Sequence, residues 1–175
     1  MTLLVIDTQC GIMNCGLYEY EKLRANIREL IGAARRYGRE VIFVRHDDGE
    51  GQPLHPGRAE FEIFPEFAPA DGEKIFDKCV NSPFRDTGLT EYLRSKGEDS
   101  LMVVGLQTEY CMDAAVKCGF EHGFEIIVPA FANSTFDNER LSAEESYRYY
   151  NEFIWKDRYA RCIGVQDAVR MIEDV

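Results

Sequence analysis

The strongest constraint in this sequence is a set of short, unbroken apolar runs separated by stretches of helical periodicity. Thr2–Ile6, Val41–Val44, Leu101–Val104 and Glu125–Val128 lack the polar alternation of a half-solvated strand. That is the pattern of strands covered on both faces. Between the first two, Tyr20–Tyr37 carries Leu23, Ile27, Leu30, Ile31 and Ala34 on one helical face and closes at Gly38. Weaker patterns add strands at Lys74–Phe76 and Ala160–Ile163, and helices at Thr90–Lys96, Tyr110–His122, Ala143–Ile154 and Asp167–Ile172. Strands alternating with helices in this way predict an α/β fold with a parallel sheet, right-handed crossovers and helices on both faces. Residues 45–72 break the rhythm with Pro53, Pro56, Pro65 and Pro69 among several glycines. An irregular loop of that length in a compact domain is usually functional or lid-like.

At 175 residues the chain fits one domain over residues 1–175, with no repeat or linker. Its formal net charge of -11 argues against a nucleic-acid or anionic-membrane partner. No apolar run approaches the roughly 20 residues that span a bilayer. The start, MTLLVIDTQ, lacks a basic region and a small-residue cleavage site, so it does not read as a secretory signal. Six cysteines without a C-x2-C pair fit neither a zinc ribbon nor a dithiol redox site, and a reducing cytoplasm is expected. Most of these thiols are expected to fill core space. Cys79 is included, since along an extended segment it points away from Lys78.

Ligands of such sheets bind beyond the carboxyl ends of the strands. Three strand ends there offer a carboxylate, an ammonium and a thiol: Asp7 in LLVIDTQ, Lys78 in FDKCVNSPF, and Cys111 at a helix start after VVGLQTEY. A free thiol titrates near about 8.5, so little of it is nucleophilic at neutral pH. A nearby lysine and a helix N-terminus favour the thiolate, and an aspartate can take its proton and return it to a leaving amine. The Gly105–Cys111 loop also offers backbone N–H groups to an oxyanion. Taken alone, the residues leave other roles open: a buried helix-start cysteine, a turn-capping Asp7, a surface Lys78.

These three segments, above all the V-x-G-L-x-T-x-x-C run ending at Cys111, resemble the isochorismatase-like cysteine hydrolases, which include nicotinamidases and N-carbamoylsarcosine amidohydrolases. The resemblance runs from the first strand to about Ser134-Thr135. It implies a triad of Cys111 as nucleophile, Asp7 as general base and acid, and Lys78 as thiolate stabiliser. It also implies a cis peptide between Leu106 and Gln107, with the backbone N–H groups of Gln107 and Cys111 forming an oxyanion hole. The implied fold is a three-layer α/β/α sandwich around a six-stranded, mainly parallel, Rossmann-like sheet, assembled into dimers or higher homo-oligomers. The implied reaction passes through a thioester on Cys111 and needs no cofactor.

Metal-dependent nicotinamidases carry an Asp and several His residues after the second strand. Here His46, Asp47, Asp48 and His55 lack the Asp-x-His order, so no metal is expected and the set reads as solvated loop or pocket rim. Gln9, His46, Phe84 and Tyr110 are candidate substrate contacts, Gln9 having a structural role as its alternative. Phe61, Phe64 and Phe67 read as loop anchors, and Glu144–Tyr150 as a solvated or subunit-facing helix. The expected partner is a small molecule, cleaved at an amide or carbamoyl C–N bond. The alternatives are isochorismatase-type hydrolysis of a non-amide substrate, a non-catalytic binding module on the same scaffold, and a thiol redox sensor.

Overall fold

A computed structural model describes residues 1–174. Its strands are β1 (Thr2–Ile6), β2 (Val41–His46), β3 (Lys74–Lys78), β4 (Ser100–Leu106), β5 (Glu125–Pro129), β6 (Asn133–Ser134) and β7 (Arg161–Ile163). They pair in parallel in the order β3-β2-β1-β4-β5-β7, and β6 adds to the end of β4 off that path. The helices are α1 (Tyr20–Arg36), α2 (Leu89–Ser95), α3 (Asp113–Glu121), α4 (Ala143–Arg148) and α5 (Val165–Asp174). The six-strand path is the expected sheet; β6, at two residues, is too short to show a period.

The unbroken apolar runs divide between two cores, because successive strand side chains point to opposite faces. Leu3, Val5, Val41, Phe43, Met102 and Val104 pack with Leu23, Ile27 and Leu30 of α1 and Ala168 and Ile172 of α5. Leu4, Ile6, Ile42, Val44, Leu101 and Val103 pack with Leu89 and Leu93 of α2, Ala115 and Val116 of α3, and Trp155. This is the three-layer sandwich. Burying each such aliphatic side chain contributes on the order of 1.5–3 kcal/mol. Among the described residues, no helix is long and apolar enough to cross a membrane.

Several local expectations change. Cys79 is exposed rather than packed in the core, and so is Cys15. The physical reason for Cys79 is that β3 is an edge strand with one solvated side, so the face opposite the buried Lys78 meets water. β4 runs on through Gly105 and Leu106, which are strand and not loop. The helix expected over Tyr110–His122 is a π-helical turn, Thr108–Met112, that feeds α3. Likewise α4 continues into a π-helical turn at Tyr149–Ile154. Tyr147 is buried and stacks on Phe131 with ring centroids 5.1 Å apart. In the long loop, Phe61 and Phe67 are buried anchors, and a bridge joins Gln9 to Ile63.

Gly105 has a structural requirement of its own. It lies opposite Ile6 with φ 128°, and a Cβ there would stand 2.0 Å from the Ile6 carbonyl oxygen. Only glycine lets β4 approach β1 this closely at the point where the chain turns toward Cys111.

Candidate active site

Four neighbouring strands, β3-β2-β1-β4, each deliver one residue to the carboxyl edge of the sheet. Lys78 ends β3, His46 ends β2 directly opposite it, Asp7 follows β1, and Cys111 lies in the turn after β4. Asp7 has φ 49°, a left-handed conformation uncommon for a non-glycine residue, and its N–H donates to the Val44 carbonyl at 2.9 Å. The Leu106–Gln107 peptide is cis.

The Lys78 ammonium is the hub. Its Nζ donates to Asp7 Oδ2 at 2.7 Å, to His46 Nδ1 at 2.8 Å and to Cys111 Sγ at 3.1 Å. An ammonium has three N–H donors, and each has one acceptor here. The Lys78 side chain is 0% exposed and that of Asp7 is 3% exposed. The buried ion pair is thus fully paired on the lysine side, which offsets part of the cost of burying both charges. His46 Nδ1 accepts, so its proton sits on Nε2, which faces Asp48 Oδ1 at 3.2 Å. Asn81 Oδ1 lies 3.7 Å from the sulfur. The second Asp7 oxygen, Oδ1, is buried without a hydrogen-bond partner.

Electrostatics set the resting protonation. Burial, then the Asp7 carboxylate, push the Cys111 thiol up to about 12 against the pull of Lys78. Burial also raises Asp7 above the usual carboxylate range, although Lys78 draws it down. His46 is lowered by burial and by Lys78, which keeps the ring neutral. The sulfur therefore rests protonated beside a base, with Lys78 drawing it toward the thiolate.

Asp7, His46 and Cys111 bring ligand-type atoms within 4.8 Å of one another. That set does not fit a metal ion, because the Lys78 ammonium lies at hydrogen-bond distance from all three. The positive charge such a group of donors calls for is already a side chain.

A cavity of about 210 Å³ opens above these groups. Ile12, Leu54 and Tyr110 form its apolar wall, while His46, Asp48, Asn81 and Gln107 form the polar one. Two expected substrate contacts lie elsewhere. The Gln9 amide is taken up by backbone, donating to the His46 and Phe61 carbonyls and accepting from the His46 N–H, so it anchors β2 to the long loop. Phe84 packs in the second core against Phe124 and His122, turned away from the cavity. Ile12, Leu54 and Asn81 escaped sequence reasoning because nothing in their neighbours marks them. Asn81, three residues after Lys78, was the most findable. Behind the nucleophile turn, Thr108 donates to Asn133, which pairs reciprocally with Asn151 in a buried amide cluster.

A family model, the isochorismatase domain, matches residues 1–154. The chain belongs to the isochorismatase family. A crystal structure of an isochorismatase-family protein from Chromobacterium violaceum superposes with a TM-score of 0.92 at 27% identity, covering 99% of this chain and 94% of that one. A secreted isochorismatase effector of Verticillium dahliae is 31% identical over 62% of this chain and 57% of its own length. A streptothricin hydrolase of Streptomyces noursei is 28% identical over 77% of this chain and 50% of its own. This isochorismatase-family chain thus spans about half the length of those two curated relatives. The wider family includes a nicotinamidase of Arabidopsis thaliana and an N-carbamoylsarcosine amidase from Thermoplasma acidophilum. The buried Cys111, beside Lys78 and His46, fits a catalytic cysteine.

Proposed function

We propose that this protein is a metal-independent cysteine hydrolase that cleaves the C–N bond of a small amide or carbamoyl compound through a thioester on Cys111. The observation that carries the reading is the Lys78 ammonium bonded at once to Asp7 and Cys111 at the floor of a small cavity.

In this reading Cys111 Sγ attacks the carbonyl carbon as its proton passes to Asp7, whose unpartnered Oδ1 is the free acceptor. Lys78 offsets the negative charge that moves between sulfur and carboxylate. The backbone N–H groups of Gln107 and Cys111 receive the oxyanion. Collapse breaks the C–N bond, and the amine leaves with the proton held by Asp7. Water, giving a proton to Asp7, then attacks the thioester; the acid departs and the proton returns to sulfur. The raised Asp7 and Cys111 values support the two transfers, because both groups hold a proton more tightly than their free counterparts. Amide-cleaving relatives such as the nicotinamidase support the bond type. We place the enzyme in the cytoplasm, where its six free thiols stay reduced, and as a homo-oligomer.

The test is ammonia release across small amides, ureides and carbamates. Cys111→Ala and Cys111→Ser should lose at least about a thousandfold in kcat/KM with an unchanged circular-dichroism spectrum, and EDTA should have no effect. Full activity in Cys111→Ala, or loss of activity in EDTA, overturns the reading.

A further inference from the structure

We propose that the substrate is a cation: a small amide or carbamoyl compound whose ammonium or amidinium group is held by Asp48 at the cavity mouth, carboxylate-bearing analogues being turned away. This rests on the cysteine-hydrolase reading and adds the charge of the group recognised.

The charged groups around the cavity differ in what they have left to bond. Lys78 lies enclosed beneath the cavity, and its three N–H donors already serve Asp7, His46 and Cys111. Among the described residues, no lysine or arginine lines the cavity. His46 contributes no charge, since its Nδ1 accepts from the ammonium and its Nε2 faces Asp48. The charged groups that do line the cavity are both carboxylates, Asp7 and Asp48.

Each carboxylate has capacity left. Asp7 Oδ1 is buried without a partner. Asp48 is 45% exposed, and its sole ion-pair partner among the described residues is the neutral His46. Its backbone N–H is tied to the Leu54 carbonyl at 2.8 Å, which fixes the carboxylate at the rim. The Lys78 ammonium offsets the Asp7 charge, so a substrate carboxylate would meet the uncompensated Asp48 and no cation with a free N–H, whereas an ammonium would meet an acceptor already in place. The reach is short: one imidazole separates the two ends, with Nδ1 3.9 Å from Cys111 Sγ and Nε2 3.2 Å from Asp48 Oδ1. The cation therefore lies a few bonds from the scissile carbon. The net charge of -11 adds attraction at longer range.

The test needs no identified substrate. Cys111 is labelled with the cationic aminoethyl and the anionic sulfonatoethyl methanethiosulfonate, and rates are read by peptide mass spectrometry. The exposed Cys15 and Cys79 serve as internal references in the same molecule. The cation-to-anion rate ratio at Cys111 should exceed the reference ratio by about tenfold or more. It should fall toward the reference in Asp48→Asn and reverse in Asp48→Lys. A ratio at or below the reference in the wild type, or one unchanged in both variants, overturns the inference. The two readings fail separately. Turnover that survives in Cys111→Ala removes the cysteine mechanism and leaves the charge ratio standing. A flat ratio beside an inactive Cys111→Ala removes only the cation.

Discussion

A single proton connects the chemistry of Cys111 to the stability of the whole protein. Burial and Asp7 hold the native thiol up to about 12 against an ordinary value of 9.0. Between those values the unfolded chain gives up the proton while the folded chain keeps it. The unfolded state then binds fewer protons, and stability falls as pH rises across that window. Urea titrations at several pH values from 8 upward should show a shallower alkaline decline for Cys111→Ala than for the wild type. Equal slopes would mean that the sulfur is not held protonated. The acid side has its own expectation: kcat/KM should fall on acidification with a midpoint above the ordinary carboxylate value of 3.8, as Asp7 takes up a proton. Asp7, Lys78 and Cys111 were legible in the sequence because each lies at or shortly beyond a strand end on the ligand-binding edge of a parallel sheet, in segments that resemble the family's motifs. His46, named from the sequence as a substrate contact or pocket-rim residue, joins them because β2 lies between β3 and β1; the strand order is what sets it against Lys78. Gln9 and Phe84 were singled out by proximity in sequence, and for Gln9 the structural alternative is the one the hydrogen bonds fit. Gln9 follows Asp7 by two residues, yet its amide is engaged by backbone.

Among the elements, two glycines show how differently one substitution can act. Gly105→Ala puts a Cβ against the Ile6 carbonyl at positive φ, where β1 and β4 meet. It should destabilise by about 3 kcal/mol or more, and any protein that still folds should have lost activity, because the same segment leads to Cys111. At Gly32, inside α1, a Cβ would meet nothing within 4 Å. Gly32→Ala should therefore stabilise by about 0.5–1 kcal/mol through helix propensity alone. Denaturant midpoints of the two variants would separate the effects. The long elements were legible because both periods are strong: α1 repeats its apolar face over several turns, and the central strands are apolar throughout. The short ones were not. β6 and the π-helical turns at Thr108–Met112 and Tyr149–Ile154 are defined by how the chain is received by neighbours, such as the Thr108–Asn133–Asn151 cluster, and no local pattern encodes that.

On the scale of the whole molecule, most apolar surface is enclosed in the two cores, yet Tyr110 at 51%, Tyr149 at 48% and Phe153 at 70% exposure remain outside. The Tyr149 and Phe153 rings lie 5.5 Å apart, so the π-helical turn after α4 presents a joined aromatic surface. Our proposal of a homo-oligomer puts a second copy there. Phe153→Glu should lower the mass seen by sedimentation velocity toward that of a monomer while leaving the thermal transition of the fold in place; an unchanged mass would move the interface elsewhere. The saturated Lys78 ammonium has one more consequence at this scale. Its side chain is fully enclosed, so an amine-acylating reagent can reach it only after the sheet edge has opened. Its acylation rate should follow denaturant as amide exchange does in a core strand, which makes the central cation of the site a built-in clock for opening of the native state.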